Sequence, residues 1–268
     1  MKARLCGYSA LGPGFDNTAA LGQLMQNGEP IDGLALASPK PELIPPRERR
    51  RSPLVVRLAV EAATQAVAAS GHAPESLCCV FASSMADTDI TDYMCRSLKA
   101  DEPALSPTKF HNSVHNAAAG YWTISTGCAM PANSVAAFEQ TVPVALLEAI
   151  GQCLAESRPV LLVFFDAPVP TTLIHAADIT QAFGAALVLE PFTEGHASHG
   201  IVIEASLGNG HMAWPELGFE NLTGLYNHNP SARLLALFKF ILSSGSGQVD
   251  MPLADNVYLS IKISGVPV

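Results

Sequence analysis

Two short runs constrain the fold more than any other feature of the chain. Residues 77–83 (LCCVFAS) and 159–165 (PVLLVFF) are apolar almost without interruption. A strand with one wet face alternates apolar and polar residues; a strand covered on both faces does not. Both runs therefore predict strands inside a sheet that carries helices on each side. The adjacent Cys78 and Cys79 would then point to opposite faces.

The flanking segments supply the helices. Val56, Val60, Ala63 and Val67 share one helical face. Ser52 is placed to cap that helix, Pro53 suits its first position, and Gly71 stops it. A second helix is predicted over 138–155, with Phe138, Val142, Ala145, Ala149 and Leu154 near helical spacing. Residues 3–12 read as a strand ending at Gly12-Pro13-Gly14, and residues 28–46, rich in glycine and proline, as a loop. Residues 183–190 and 200–207 are predicted to pair antiparallel across a polar turn containing His196, His199 and Gly200. From Asn256 to Ser264 the pattern alternates, with Val257, Leu259, Ile261 and Ile263 on one face. Interleaved helical and strand periods define an α/β class.

Composition excludes several functions. The 268 residues carry 15 Lys and Arg against 24 Asp and Glu, a net charge of −9. General nucleic-acid binding needs the opposite balance. Charged residues are 15%, against roughly 25% in an average soluble domain, so apolar surface outweighs what charge can cover and points to burial against a partner. The longest aliphatic and aromatic run, Val160 to Phe165, is far short of the roughly 18 residues a membrane span needs. The opening Met1-Lys2-Ala3-Arg4-Leu5 meets glycine, Pro13 and Asp16 too early for a signal-peptide core. None of the six cysteines has zinc or disulfide spacing, so buried, reduced thiols in a cytoplasmic protein are expected.

Several segments in order carry a family resemblance. They are Gly7-Tyr8-Ser9-Ala10-Leu11-Gly12-Pro13, Phe81-Ala82-Ser83-Ser84, Ser106 to Gly120 (SPTKFHNSVHNAAAG) and Phe183-Gly184-Ala185-Ala186-Leu187-Val188-Leu189-Glu190. Together they resemble the N-terminal half of a β-ketoacyl synthase, a condensing enzyme of thiolase-like fold. The Lys109 to Asn116 stretch is most similar to the short chain-length factors that accompany ketosynthases in bacterial aryl-polyene type pathways. The resemblance implies half of a condensing-enzyme fold, layered α/β with a mixed sheet, over residues 1–208. Residues 209–268 would be a C-terminal extension, with a helix near Leu234–Leu242 and a final strand returning to the sheet.

The same resemblance sets a chemical test. A condensing enzyme needs a thiolate at the N-terminus of a buried helix, where the dipole lowers the thiol pKa, and two histidines facing it. Counting ungapped from Pro131, the nucleophile position holds Glu139, with Phe138 or Gln140 one residue to either side. None is a thiol. The family's later histidine segment and its closing glycine-rich loop have no counterpart; His196, His199, His211 and His228 stand without that context. A carboxylate at a helix N-terminus gains ~0.3–1 kcal/mol when exposed, so Glu139 is expected to cap or to pair rather than to react.

The resemblance therefore implies a catalytically silent subunit. It would pair with a full-length ketosynthase across Ser106–Gly127 and help wall the tunnel for acyl chains held on acyl carrier protein. Polyene, polyketide or fatty-acyl chains would be elongated there, with no cofactor from this chain and no catalytic residue of its own. Candidate interface residues are His111, Asn112, His115, Asn116 and Gly120, where Ala117 to Gly120 would admit a close backbone. Candidate tunnel residues are Ala118, Met130 and Phe138. His111 and His115 have the spacing of a metal pair on a helix, but no carboxylate motif accompanies them, and hydrogen bonding at the interface is the expected role. Arg47, Arg49, Arg50 and Arg51 could hold a pantetheine phosphate or an acidic carrier surface, or stay solvated. Asp87, Asp89 and Asp92 lack the closing glutamate of a calcium loop and are expected in a loop or helix cap. The alternative is an active short ketosynthase or malonyl decarboxylase using Glu139, Gln140 or Cys128; a self-associating scaffold is a third reading.

Overall fold

The computed structural model describes residues 1–101, 104–193, 200–243 and 245–266. His196 and His199 lie outside them. In chain order the elements are β1 (Lys2–Leu11), α1 (Thr18–Asn27), α2 (Pro46–Arg49), α3 (Leu54–Ser70), β2 (Cys78–Ala82), α4 (Thr88–Lys99), α5 (Pro107–His111) and α6 (Ala117–Thr126). Then come β3 (Ala132–Val135), α7 (Thr141–Glu156), β4 (Val160–Asp166), β5 (Phe183–Pro191), β6 (Gly200–Asn209), α8 (Glu220–His228), α9 (Leu235–Ile241), β7 (Gly247–Ala254) and β8 (Val257–Val266).

One mixed sheet runs β3-β2-β4-β5-β1-β6-β8-β7. β2 is parallel to β3 and β4; the remaining neighbours are antiparallel. The two apolar runs are the buried strands β2 and β4. Cys78 faces one core cluster and Cys79 the other. One core joins the sheet to α7, α8 and α9; the second joins its opposite face to α3 and α6. The fold is thiolase-like, a mixed sheet with helices on both faces.

Local chemistry departs from expectation at three places. β5 and β6 do not pair: β1 lies between them and bonds to both. Both strands have the apolar pattern of a partner strand, but the pattern does not say which strand is the partner. At the start of α3, Pro53 is the cap residue with extended backbone, and the Ser52 hydroxyl donates to Arg49 O (2.9 Å) instead of capping. Gly71 does end the helix, in the left-handed conformation. Finally, residues 138–140 form a 3-10 turn and the α-helix begins at Thr141. The buried stripe of α7 is Val142, Ala145, Leu146, Ala149, Ile150 and Cys153, while Phe138 and Leu154 are exposed.

β1 carries one irregularity. Leu5 faces Leu189 and Gly7 faces Val188, so Cys6 is an extra, bulged residue. Beyond it, Gly7 lies under α3, where a Cβ would run into the Ala66 carbonyl oxygen. The next anchor is Ser9, whose hydroxyl donates to Ala62 O at 2.7 Å.

Candidate functional site: the elbow before α7 and its surroundings

The chain leaves β3, turns sharply and enters α7. Phe138 sits at that turn with φ 50. A left-handed conformation costs a residue with a Cβ about 1–2 kcal/mol, so something must hold it. Thr141, fully buried, does: its hydroxyl accepts from Ala137 N (3.1 Å) and donates to Phe138 O (2.7 Å). The Phe138 side chain is 44% exposed. It projects from a strand-to-helix elbow, the geometry that presents a reactive side chain at a helix N-terminus in α/β-hydrolases.

Glu139 follows it. It lies inside the 3-10 turn, and the cap residues on either side are Ala137 and Gln140. Its carboxylate instead lies 3.9 Å from the guanidinium of Arg233. Arg233 is buried between the rings of Trp214 and Tyr226, 4.8 and 4.7 Å from their centroids, and donates to the side chain and backbone oxygens of Asn227. The expectation of a cap or a partner resolves as a partner, supplied by the segment after β6.

The thiols are elsewhere. Cys128 donates to Leu77 O at 3.4 Å, on the α3 side of the sheet. Cys153 is buried in the other core, and burial pushes its thiol up to about 12. Burial raises the Cys78 and Cys79 thiols as well. Of the late histidines, His228 pairs with Asp178 at the surface (2.9 Å) and His211 is exposed.

Next to β2 and β4 lies a polar cluster that carries no sequence signature. Asp166, the last residue of β4, is fully buried. One carboxylate oxygen accepts from Ser83 Oγ (2.8 Å), Ser84 N (2.9 Å) and Ser84 Oγ (2.9 Å); the other accepts from Ser231 N (3.2 Å) and Ser231 Oγ (2.6 Å). Its pKa is raised: burial outweighs the serine hydrogen bonds that act to lower it. His115 closes the edge, its Nε2 3.1 Å from Ser83 O.

His111 and His115 do not share a helix. α5 ends at His111, Asn112 caps it, and α6 starts at Ala117; the pairing at helical spacing is thus corrected by a break at Asn112. The Asn112 side chain is buried, with its Oδ1 unpartnered. Around it runs an open groove of about 500 Å³ whose walls include His111, Val114, Asn116, Gly120, Tyr121 and Ile124. Ile124 is 81% exposed, Phe110 58% and Val114 52%. A Cβ at Gly120 would meet nothing within 4 Å in this chain.

Among the remaining candidates, Ala118 is buried in the α3-side core, and Met130 is half-buried against both cores. Asp87 caps α4 by accepting from Ile90 N (3.0 Å), and Asp92 pairs with Arg96 (2.7 Å), so the acidic trio belongs to a helix start. Arg49 is committed to the carbonyls of Lys40 and Pro41, while Arg47, Arg50 and Arg51 are exposed.

Residues 26–212 match the family model described as beta-ketoacyl synthase, N-terminal domain. The chain belongs to that family. No curated protein matches the sequence. Solved structures match its fold along the whole chain. One is the ketosynthase (ApeO) in complex with its chain length factor (ApeC) from Xenorhabdus doucetiae, with a TM-score of 0.73 and 20% identity over 98% of this chain and 99% of that one. A second is the ishigamide ketosynthase/chain length factor, at 0.70 and 14% identity over 99% and 100%. A third is AntDE:AntF, a type II polyketide synthase acyl-carrier protein in complex with its ketosynthase bound to the hexaketide, at 0.72 and 10% identity over 99% of each chain. Among the described residues no helix is long and apolar enough to cross a membrane.

Proposed function

We propose that this chain is a non-catalytic chain-length-factor subunit that pairs with a full-length ketosynthase in the cytoplasm. The observation that carries the reading is the elbow. Where a synthase of this fold needs a thiolate, the residue in the left-handed conformation is Phe138, and we assign the nucleophile-equivalent position to it, one residue before Glu139. An aromatic ring has no lone pair to attack a thioester; it can wall an acyl tunnel. Glu139 is held toward Arg233, which suits a structural role.

The ketosynthase would sit on the α5–α6 face, where Phe110, Val114 and Ile124 leave apolar area uncovered. Exposed apolar surface of this kind marks an interaction site, and His111, Asn112, Asn116 and Gly120 line it; His115 would act from beneath. Acyl carrier protein would approach Arg47, Arg50 and Arg51. The structures of a ketosynthase with its chain length factor, and of one with its carrier protein, support both assignments by likeness of fold.

The test is decarboxylation of malonyl-loaded carrier protein, followed as acetyl formation by mass spectrometry. The isolated chain should give no turnover; turnover should appear only beside a ketosynthase. Turnover by the isolated chain would overturn the reading: lost in Glu139→Ala, it would favour a decarboxylase using Glu139; kept, one using Gln140 or Cys128. A stable homodimer with no affinity for a ketosynthase would favour a scaffold.

A further inference from the structure

The bulge in β1 has a chemical consequence at the opposite end of the sheet from Asp166. It turns Cys6 toward two other donors. His72 follows the end of α3 at Gly71, and Glu190 lies near the end of β5, across from Arg4. The ligating atoms of Cys6, His72 and Glu190 all lie within 4.8 Å of one another, and His72 Nε2 is 3.1 Å from Glu190 Oε2. Bulges often re-aim a side chain toward a site in this way. All three residues are half-buried. A cavity of about 390 Å³ opens beside Cys6, lined also by Tyr8, Thr18 and Ser70.

We propose that Cys6, His72 and Glu190 form a divalent transition-metal site, with zinc as its ion. One soft thiolate, one imidazole and one carboxylate are a tetrahedral zinc donor set, with a fourth position left for water. Arg4 binds Glu190 Oε1 and leaves Oε2 to the metal, which orients the ligand as an outer-shell partner does. The guanidinium charge also lowers the affinity for a cation, so the site binds less tightly than a Cys-rich one. On binding, the Cys6 S–H bond breaks, a sulfur–metal bond forms, and one proton goes to solvent. Because binding releases a proton, affinity should climb with pH. The ion would tie β1, β5 and the end of α3 together, a stabilising role independent of the function proposed above.

The experiment uses the untagged full chain after chelator treatment, titrated with Co²⁺ and then Zn²⁺. The expected result is one Co²⁺ per chain, with a thiolate-to-cobalt charge-transfer band and the visible bands of a tetrahedral site. Zn²⁺ should displace it and raise the melting temperature. Cys6→Ser should abolish the charge-transfer band. His72→Gln, which keeps a polar side chain beside Glu190, should weaken binding by about tenfold or more. Cys95→Ser, at the exposed thiol of α4, should change neither. Absence of stoichiometric binding, or a band that survives Cys6→Ser or disappears with Cys95→Ser, would overturn the proposal.

Discussion

The Asp166 carboxylate takes five hydrogen bonds from Ser83, Ser84 and Ser231 and has no basic partner among the described residues. Every contact is a donor aimed at an acceptor. Asp166→Asn keeps the shape but turns an NH₂ toward at least one of those donors, and a lost hydrogen bond to a buried charge costs about 1.5–3 kcal/mol. Urea denaturation should show a loss of that size with an unchanged m-value; an unchanged midpoint would contradict it. The thiols make a second test. Burial pushes Cys6 and Cys153 up to about 12, and only the thiolate reacts. A raised thiol pKa means less thiolate at every pH below it. At pH 8 the native chain, in which Cys128 is shielded by burial, should therefore take one rapid iodoacetamide label, at exposed Cys95, and all six in denaturant. Peptide mapping reads the sites; a second rapid native label would refute the pattern. Little of this was visible in sequence. Ser83, Ser84, Asp166 and Ser231 are scattered along the chain, as are Cys6, His72 and Glu190, and spacing rules find only neighbours. Phe138 and Glu139 were accessible because a strand, a turn and a helix follow one another locally.

Elements were legible where their cause is local. Gly71 ends α3 because a left-handed residue is needed there, and LCCVFAS becomes β2 because both its faces are covered. The pairing of β5 with β6 failed for the opposite reason: β1, from the far end of the chain, intervenes. The α5–α6 face was also named from sequence, though its small-residue helix packs against nothing at Gly120 within the chain. That openness leads to a prediction about α6. Ile124 is 81% exposed, so Ile124→Glu removes no intramolecular packing, and surface changes of this kind stay within about 0.5 kcal/mol. Melting of the isolated chain should be unchanged, while capture of a ketosynthase should fall at least tenfold in a binding titration. Retained affinity would move the interface elsewhere.

At the scale of the whole molecule, the sheet decides which parts can exist alone. β1 is central, and its two partners begin 181 and 198 residues after it, reckoned from Lys2 to Phe183 and Gly200. Such contacts carry a loop-closure cost before they reward it, so β1 meets its sheet partners only once the chain has reached β5 and then β6. The last two strands then complete the same layer rather than decorate it. Leu259, Ile261 and Ile263 of β8, with Val249 and Met251 of β7, belong to one core with Ala3, Leu5, Ile201 and Ile203. Ending the chain after Leu242 would strip that cover from β6 and leave its full length as an unpaired apolar edge, a template for aggregation. The truncated chain should partition into the insoluble fraction, or elute as large aggregates after refolding, under conditions where the full chain is soluble. A soluble fragment with a cooperative urea transition would show that residues 1–242 hold their own core and that β7 and β8 add only a margin to it.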